Sequence, residues 1–212
     1  MSWLRILGIK LIKHCYYPMR DGLLRISNPQ LSQAFRVKSH LTTAERVALY
    51  WLALRKETIL EIGSYVGAST CCFGAALKKN KYGKVLCIDT WKNDAMSEGP
   101  RDTYAEFLKN TEPFSKFIIP IRGFSTEVTA QVGNYTSHVD LLFIDGDHTY
   151  DGVKADWNTY RGFLEIGSVI AFHDWGWAEG VKRVVLEDVM PLVSTYGSLP
   201  NMWWGKIKTL SC

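Results

Sequence analysis

The sequence has no Cys-x-x-Cys pair, no long uninterrupted apolar run, no block of like charge and no Gly-x-Ser-x-Gly elbow. Each absence excludes something. The five cysteines, Cys15, Cys71, Cys72, Cys87 and Cys212, suit neither a disulfide framework nor a zinc site. Their usage is that of a reducing compartment, so a cytoplasmic location is expected. Residues 1–20 alternate apolar side chains with Arg5, Lys10 and Lys13, too interrupted for a membrane span or a signal-peptide core. Lysine and arginine are scattered and the net charge is only +4, which argues against a nucleic-acid partner. Without the elbow, a serine hydrolase would lack its nucleophile.

What is present suits one soluble domain: 212 residues, 47% hydrophobic and 22% charged. Residues 58–69 organise the chain. Ile59, Leu60 and Ile62 read as a strand covered on both faces, running through a turn bracketed by Gly63 and Gly67. Ala68, Ser69 and Thr70 open a helix whose first N–H groups are unpaired. A dinucleotide turn would read Gly-x-Gly-x-x-Gly and rest a pyrophosphate on that helix. Here Glu61 stands where the first glycine would be. A carboxylate repels a pyrophosphate and attracts a cationic or amine-bearing ligand.

Strands are expected over 58–63, 84–89, 116–121, 139–145 and 167–173, with helices over 67–79, 101–110, 125–132, 150–163 and 178–193. A last strand lies within 202–210. A capping box, Thr42-x-x-Glu45, opens a helix ahead of the first strand. The alternation predicts an α/β, Rossmann-like doubly wound sheet of about seven strands, mostly parallel, with an antiparallel C-terminal strand. Residues 1–40 are expected to form an N-terminal helical extension and residues 41–212 a single domain. The basic, apolar N-terminus fits a helix packed on the domain or on a second subunit, and also a weak contact with a membrane surface. In Trp203-Trp204, neighbours on a strand face opposite ways, so one ring is expected in the core and the other toward a partner subunit or an acceptor.

In such sheets ligands sit beyond the carboxyl ends of the strands. Strand two ends in Asp89, suited to accept from two ribose hydroxyls, with Trp91 placed to stack on an adenine or to close the loop over the core. After strand three, Gly123, Phe124 and Ser125 border the adenine or merely punctuate the loop. Strand four ends Asp145-Gly146-Asp147-His148 and strand five His173-Asp174-Trp175. If these strands are neighbours, Asp145, His173 and Asp174 can converge at one rim, either as ligands for a divalent metal or as caps that satisfy helix ends and loop backbone. Carboxylates suit hard cations, while an imidazole suits a transition metal better than magnesium.

These segments, Ile-Leu-Glu-Ile-Gly-Ser-Tyr-Val-Gly-Ala-Ser-Thr, Val-Leu-Cys-Ile-Asp-Thr-Trp, Phe-Ile-Asp-Gly-Asp-His-Thr-Tyr-Asp and Ile-Ala-Phe-His-Asp-Trp, occur in that order. Over about residues 40–190 the chain resembles the class I S-adenosylmethionine-dependent methyltransferases of the Methyltransferase-24 type. It is similar to the macrocin O-methyltransferase and cephalosporin-hydroxylase-like groups. The resemblance implies S-adenosylmethionine held by Glu61, Gly63, Ser64, Gly67, Ser69, Asp89, Trp91, Gly123, Ser125 and Asp145. It places Asp145, His173 and Asp174 where metal-dependent relatives hold magnesium or manganese, although those relatives more often have a carboxylate at the position of His173. It makes His148, with Asp145, the catalytic pair. The implied reaction is O-methylation of a small hydroxylated acceptor, such as a sugar or glycosylated metabolite. An NAD-dependent oxidoreductase and a non-catalytic scaffold keeping the cofactor pocket are the alternatives. A homo-oligomer fits as well as a monomer.

Overall fold

The computed structural model describes residues 17–93 and 99–210. Cys15, Cys212 and most of the basic N-terminal stretch therefore lie outside the described residues. Three helices come first: α1 (Tyr17–Ser27), α2 (Ser32–Arg36) and α3 (Thr43–Ala53). The capping box at the start of α3 is complete. Thr42 N donates to Glu45 Oε2 at 2.7 Å and Glu45 N to Thr42 Oγ1 at 3.3 Å.

Strand–helix alternation follows: β1 (Thr58–Ile62), α4 (Ala68–Asn80), β2 (Lys84–Asp89), α5 (Tyr104–Thr111), β3 (Ile118–Arg122), α6 (Thr129–Tyr135), β4 (Val139–Ile144), α7 (Tyr150–Tyr160), β5 (Leu164–His173), α8 (Glu179–Val184), β6 (Val193–Leu199) and β7 (Met202–Ile207). The sheet order is β3-β2-β1-β4-β5-β7-β6. β7 runs antiparallel between β5 and β6, and the pairs among the first five strands are parallel. The sheet is therefore the doubly wound one expected, with its switch point between β1 and β4, where the crossover direction reverses.

Pleating sorts the core into two layers. Ile59, Leu141 and Phe143 pack with Leu49, Phe73 and Phe107 under α3–α5. Leu60, Ile62, Leu142 and Ile144 pack with Val132, Trp157 and Val184 under α6–α8. Leu31, Ala34 and Val37 belong to the first layer, so the chain ahead of residue 40 already contributes to the core. Trp203 and Trp204 do face opposite ways, but both rings are used inside the fold. Trp203 is buried in the second layer, and Trp204 is half-buried against the first and lies over Gly197.

Some boundaries differ from expectation for visible reasons. β3 starts only at Ile118, because Phe114 and Phe117 are buried in a tight turn (Glu112–Phe117), with Phe114 against Gly74 of α4. The helix expected over 178–193 stops at Val184 and loosens into a wide turn (Val185–Val189), then a tight one (Met190–Leu192) containing Pro191, which has no N–H to donate.

Candidate active site

The turn after β1 is built from backbone that ordinary residues resist. Gly63 and Gly67 have φ of +86° and +89°. A Cβ on Gly63 would stand 2.1 Å from the Asp145 carbonyl oxygen, so this position admits only glycine. Asp145 N donates to Ile62 O and Gly63 N to Ile88 O, both at 2.9 Å, lacing the ends of β4, β1 and β2 together. Asp89 completes the frame. Its Oδ2 accepts from Tyr65 N at 2.7 Å and its Oδ1 from Trp91 N at 2.6 Å.

Two adjoining cavities open beside this frame. The first, about 400 Å³, is lined by Gly63, Asp89, Gly123, Ser125, Asp145 and Asp156, among others. The second, about 340 Å³, shares Gly63, Tyr65 and Asp145 with the first and is walled by Ser64, Ser69, His148, His173, Asp174 and Trp177. Both fall within the ~300–1,000 Å³ usual for small-molecule sites. Gly67 forms the N-cap of α4 and lies outside both linings, so it shapes the turn rather than the wall.

Two expected contact residues are elsewhere. Strand pleating sends Glu61 to the side of Ile59, beneath α4, where it is fully buried and lines neither cavity. Its Oε2 accepts from Ser64 Oγ at 2.8 Å and Thr70 Oγ1 at 2.5 Å, while Oε1 is buried without a hydrogen-bond partner. Burial pushes its pKa up to about 7 against the pull of the Ser69, Thr70 and Ser64 hydroxyls. Glu61 thus braces the turn from behind. Trp91 is also fully buried. Its indole donates to Tyr65 O at 2.9 Å and packs on Tyr104 and Phe107, with ring centroids 4.8 Å away in each case. Nothing of that ring is open to an adenine.

Adjacent β4 and β5 bring the acidic rim together, with His148 beside the two carboxylates and His173 behind them. Asp145, His148 and Asp174 each offer a ligand atom, all within 4.8 Å of one another. His173 stands behind them, with Nδ1 3.0 Å from Asp145 Oδ1 and 3.3 Å from Asp174 Oδ1, and Nε2 3.6 Å from Glu45 Oε2. Burial opposes its charge, yet the carboxylates of Asp145, Asp174 and Glu45 raise it to about 12. His173 Nδ1 thus bridges the two carboxylates from behind, and His148 is the imidazole that shares a donor set with them. Burial raises Asp145, whereas the His148 and His173 contacts hold Asp174 far below the usual carboxylate range despite its burial. His148 Nε2 lies 2.8 Å from Asp174 Oδ2, and that bond raises the imidazole.

Several wall residues escaped the sequence reading. Asp156 is buried in the wall of the first cavity, bonded to Ser125 Oγ and raised by burial to about 6. Its signal was a carboxylate on the apolar stripe Val153, Trp157, Tyr160 of α7. Asn201, from the β6–β7 turn, donates to Asp174 Oδ1 at 2.9 Å. Trp177 donates to the same oxygen at 2.7 Å and leans on the His148 ring at 5.1 Å. Ser39 and His40 line the second cavity. No pattern in the sequence announced these.

The sequence profile of a methyltransferase domain family, Methyltransferase type 24, matches residues 60–175, more than half of the chain and every strand end just described. The chain belongs to this family. It is 32% identical over 128 residues to the uncharacterized protein y4gI of Sinorhizobium fredii, an alignment covering 58% of this chain and 14% of that much longer protein. Its fold is similar to a putative O-methyltransferase from Klebsiella pneumoniae, with 15% identity, 92% and 98% of the two chains covered and a TM-score of 0.66. It is also similar to CalS11, a TDP-rhamnose 3′-O-methyltransferase of calicheamicin biosynthesis, with 18% identity, 93% and 90% covered and a TM-score of 0.62. Among the described residues, no helix is long and apolar enough to cross a membrane.

Proposed function

We propose that this chain is an S-adenosylmethionine-dependent O-methyltransferase acting on a small hydroxylated acceptor, with a sugar or glycosylated metabolite the favoured class. The observation that carries this reading is the meeting of the Gly63 turn, the Asp89 carboxylate and the Asp145–His148–Asp174 rim on two adjoining cavities. The first cavity presents Asp89, at the end of β2, a carboxylate of the kind that accepts from two ribose hydroxyls. Around the second, the three carboxylates of Asp145, Asp174 and Glu45 outnumber the two imidazoles of His148 and His173. That excess suits a ligand bearing an ammonium and a sulfonium, and disfavours a pyrophosphate. Ser64 and Ser69 stand on the same wall. When bound, S-adenosylmethionine supplies an activated methyl group and needs no further activation.

The chain's own task is then to align a hydroxyl and take its proton. His148 Nε2–H donates to Asp174, which leaves Nδ1 with the lone pair. The acceptor's O–H proton passes to Nδ1 as its oxygen bonds to the methyl carbon and the carbon–sulfur bond breaks, its electron pair leaving on sulfur as the thioether of S-adenosylhomocysteine, and Asp174 stabilises the imidazolium that results. Holding the acceptor in line can lower the barrier by ~7–11 kcal/mol at best. Asn201 and Trp177 fix Asp174, so they position the base. Trp177 is 62% exposed and lies beside His148, a flat surface suited to the apolar face of a sugar.

The same rim supports a metal-assisted variant. Two carboxylates and an imidazole fit manganese better than magnesium, and an ion there would lower the pKa of a coordinated hydroxyl. Methyl transfer to candidate sugars, assayed with chelator and with added divalent ions, separates the two. Turnover lost on chelation and restored by manganese supports the metal; turnover indifferent to chelator but lost in His148→Ala supports the free base. Turnover unaffected by both chelator and His148→Ala would overturn this assignment of the rim.

A further inference from the structure

Methyl transfer uses the carboxyl edge of the sheet and leaves the first helix without a role. α1 exposes Met19, Leu23 and Ile26 by 66%, 62% and 79%. Spaced i, i+4 and i+7, they share one face of the helix. The helix meets the body on another side, where Leu24 is half-buried and the Arg25 guanidinium lies 5.1 Å from the centre of the Phe35 ring. The apolar stripe is therefore turned outward by the packing. Single exposed apolar residues are ordinary, but a stripe of three on one short helix is not.

Charge is distributed to match. Residues 1–27 contain Arg5, Lys10, Lys13, Arg20 and Arg25 against one carboxylate, Asp21. That excess accounts for the whole net charge of +4, and residues 28–212 are balanced. Arg20, 3.7 Å from Asp21, and Arg25, over the Phe35 ring, follow the helix on either side of the stripe.

We propose that this segment docks the protein on an anionic lipid bilayer, with Met19, Leu23 and Ile26 entering the interface and the basic side chains meeting the headgroups. A second copy of the chain is the poorer occupant, because two such helices would bring like charge together. A nucleic acid would use the cations and leave the apolar stripe in water. The inference is independent of the acceptor and of the metal.

The test is co-sedimentation of the full chain with vesicles of phosphatidylcholine alone and of equimolar phosphatidylcholine and phosphatidylglycerol. Binding is expected to the anionic vesicles only. It should weaken with salt, as screening shortens from about 10 Å at 0.1 M to about 3 Å at 1 M. Replacing the three exposed side chains (Met19→Gln, Leu23→Gln, Ile26→Gln) should leave the melting temperature unchanged and weaken binding at least about tenfold. Each cation near an anionic surface strengthens partition about fivefold, so Lys10→Gln with Lys13→Gln should cost roughly thirtyfold. Equal binding to both vesicle types, no binding to either, or wild-type binding by the charge variant would overturn the proposal. So would light scattering that shows a dimer converted to monomer by the apolar variant, with vesicles left unbound.

Discussion

Glu61 makes the turn behind the cofactor pocket accessible to titration. Folded, its carboxyl is pushed up to about 7 by complete burial; unfolded, it returns to its ordinary 4.5. Between those values the folded chain holds a proton that the unfolded chain has released. Stability from this group is therefore complete below about 4.5 and is lost as pH rises through about 7. Across the whole window the loss is about 3 kcal/mol, and between about pH 6 and about pH 8 it is roughly 1.3 kcal/mol. Glu61→Gln keeps an oxygen for Ser64 and Thr70 but cannot titrate. Urea unfolding of both proteins at both pH values gives a double difference in which all other titrating groups cancel. The wild type should lose roughly 1.3 kcal/mol more than the variant on going to the higher pH. Equal losses would show that Glu61 is ionised throughout and that the buried carboxyl described here is wrong.

Gly63→Ala should cost ~1–2 kcal/mol for the left-handed backbone and a further ~1–3 kcal/mol for overpacking against the Asp145 carbonyl. An unchanged melting temperature would contradict the close approach. Trp91→Ala should lower unfolding free energy by ~3–5 kcal/mol, because the ring is core. A ring that stacked on adenine would instead lose ligand affinity while denaturant unfolding stayed the same. His148→Ala should lower turnover ~10²–10⁴-fold while binding of S-adenosylhomocysteine changes little. Equal loss of both would make His148 structural.

The fold could be read because its determinants are local. β-branched runs, glycine turns and a capping box each specify an element through neighbours a few residues away, and their alternation leaves one sheet topology as the natural solution. The site was only half readable, because side-chain direction is set by packing. Asp145 and Asp174 are at strand ends, and parallel pairing of β4 with β5 brings them together. Which histidine stands beside the carboxylates depends on ring orientation, and the His173 ring lies between Asp145, Asp174 and Glu45, the last more than a hundred residues earlier in the chain. Glu61 stands one residue short of the strand tip, and the pleat turned it into the core. Trp91 follows Asp89 by two residues, but a left-handed φ of +51° accompanies a ring folded inward. Asp156 was legible in principle, as a carboxylate on an apolar helix face, and Asn201 was not.

The methyl-donor site is tested most directly by calorimetric titration of the purified chain with S-adenosylhomocysteine and, separately, with NAD, each with and without a divalent ion. Asp89→Asn serves as the site variant: it keeps the shape but sets an amide donor against one of two backbone N–H groups. Micromolar binding of S-adenosylhomocysteine, weakened in Asp89→Asn, and no binding of NAD is the predicted result. Binding of NAD in place of S-adenosylhomocysteine would contradict it.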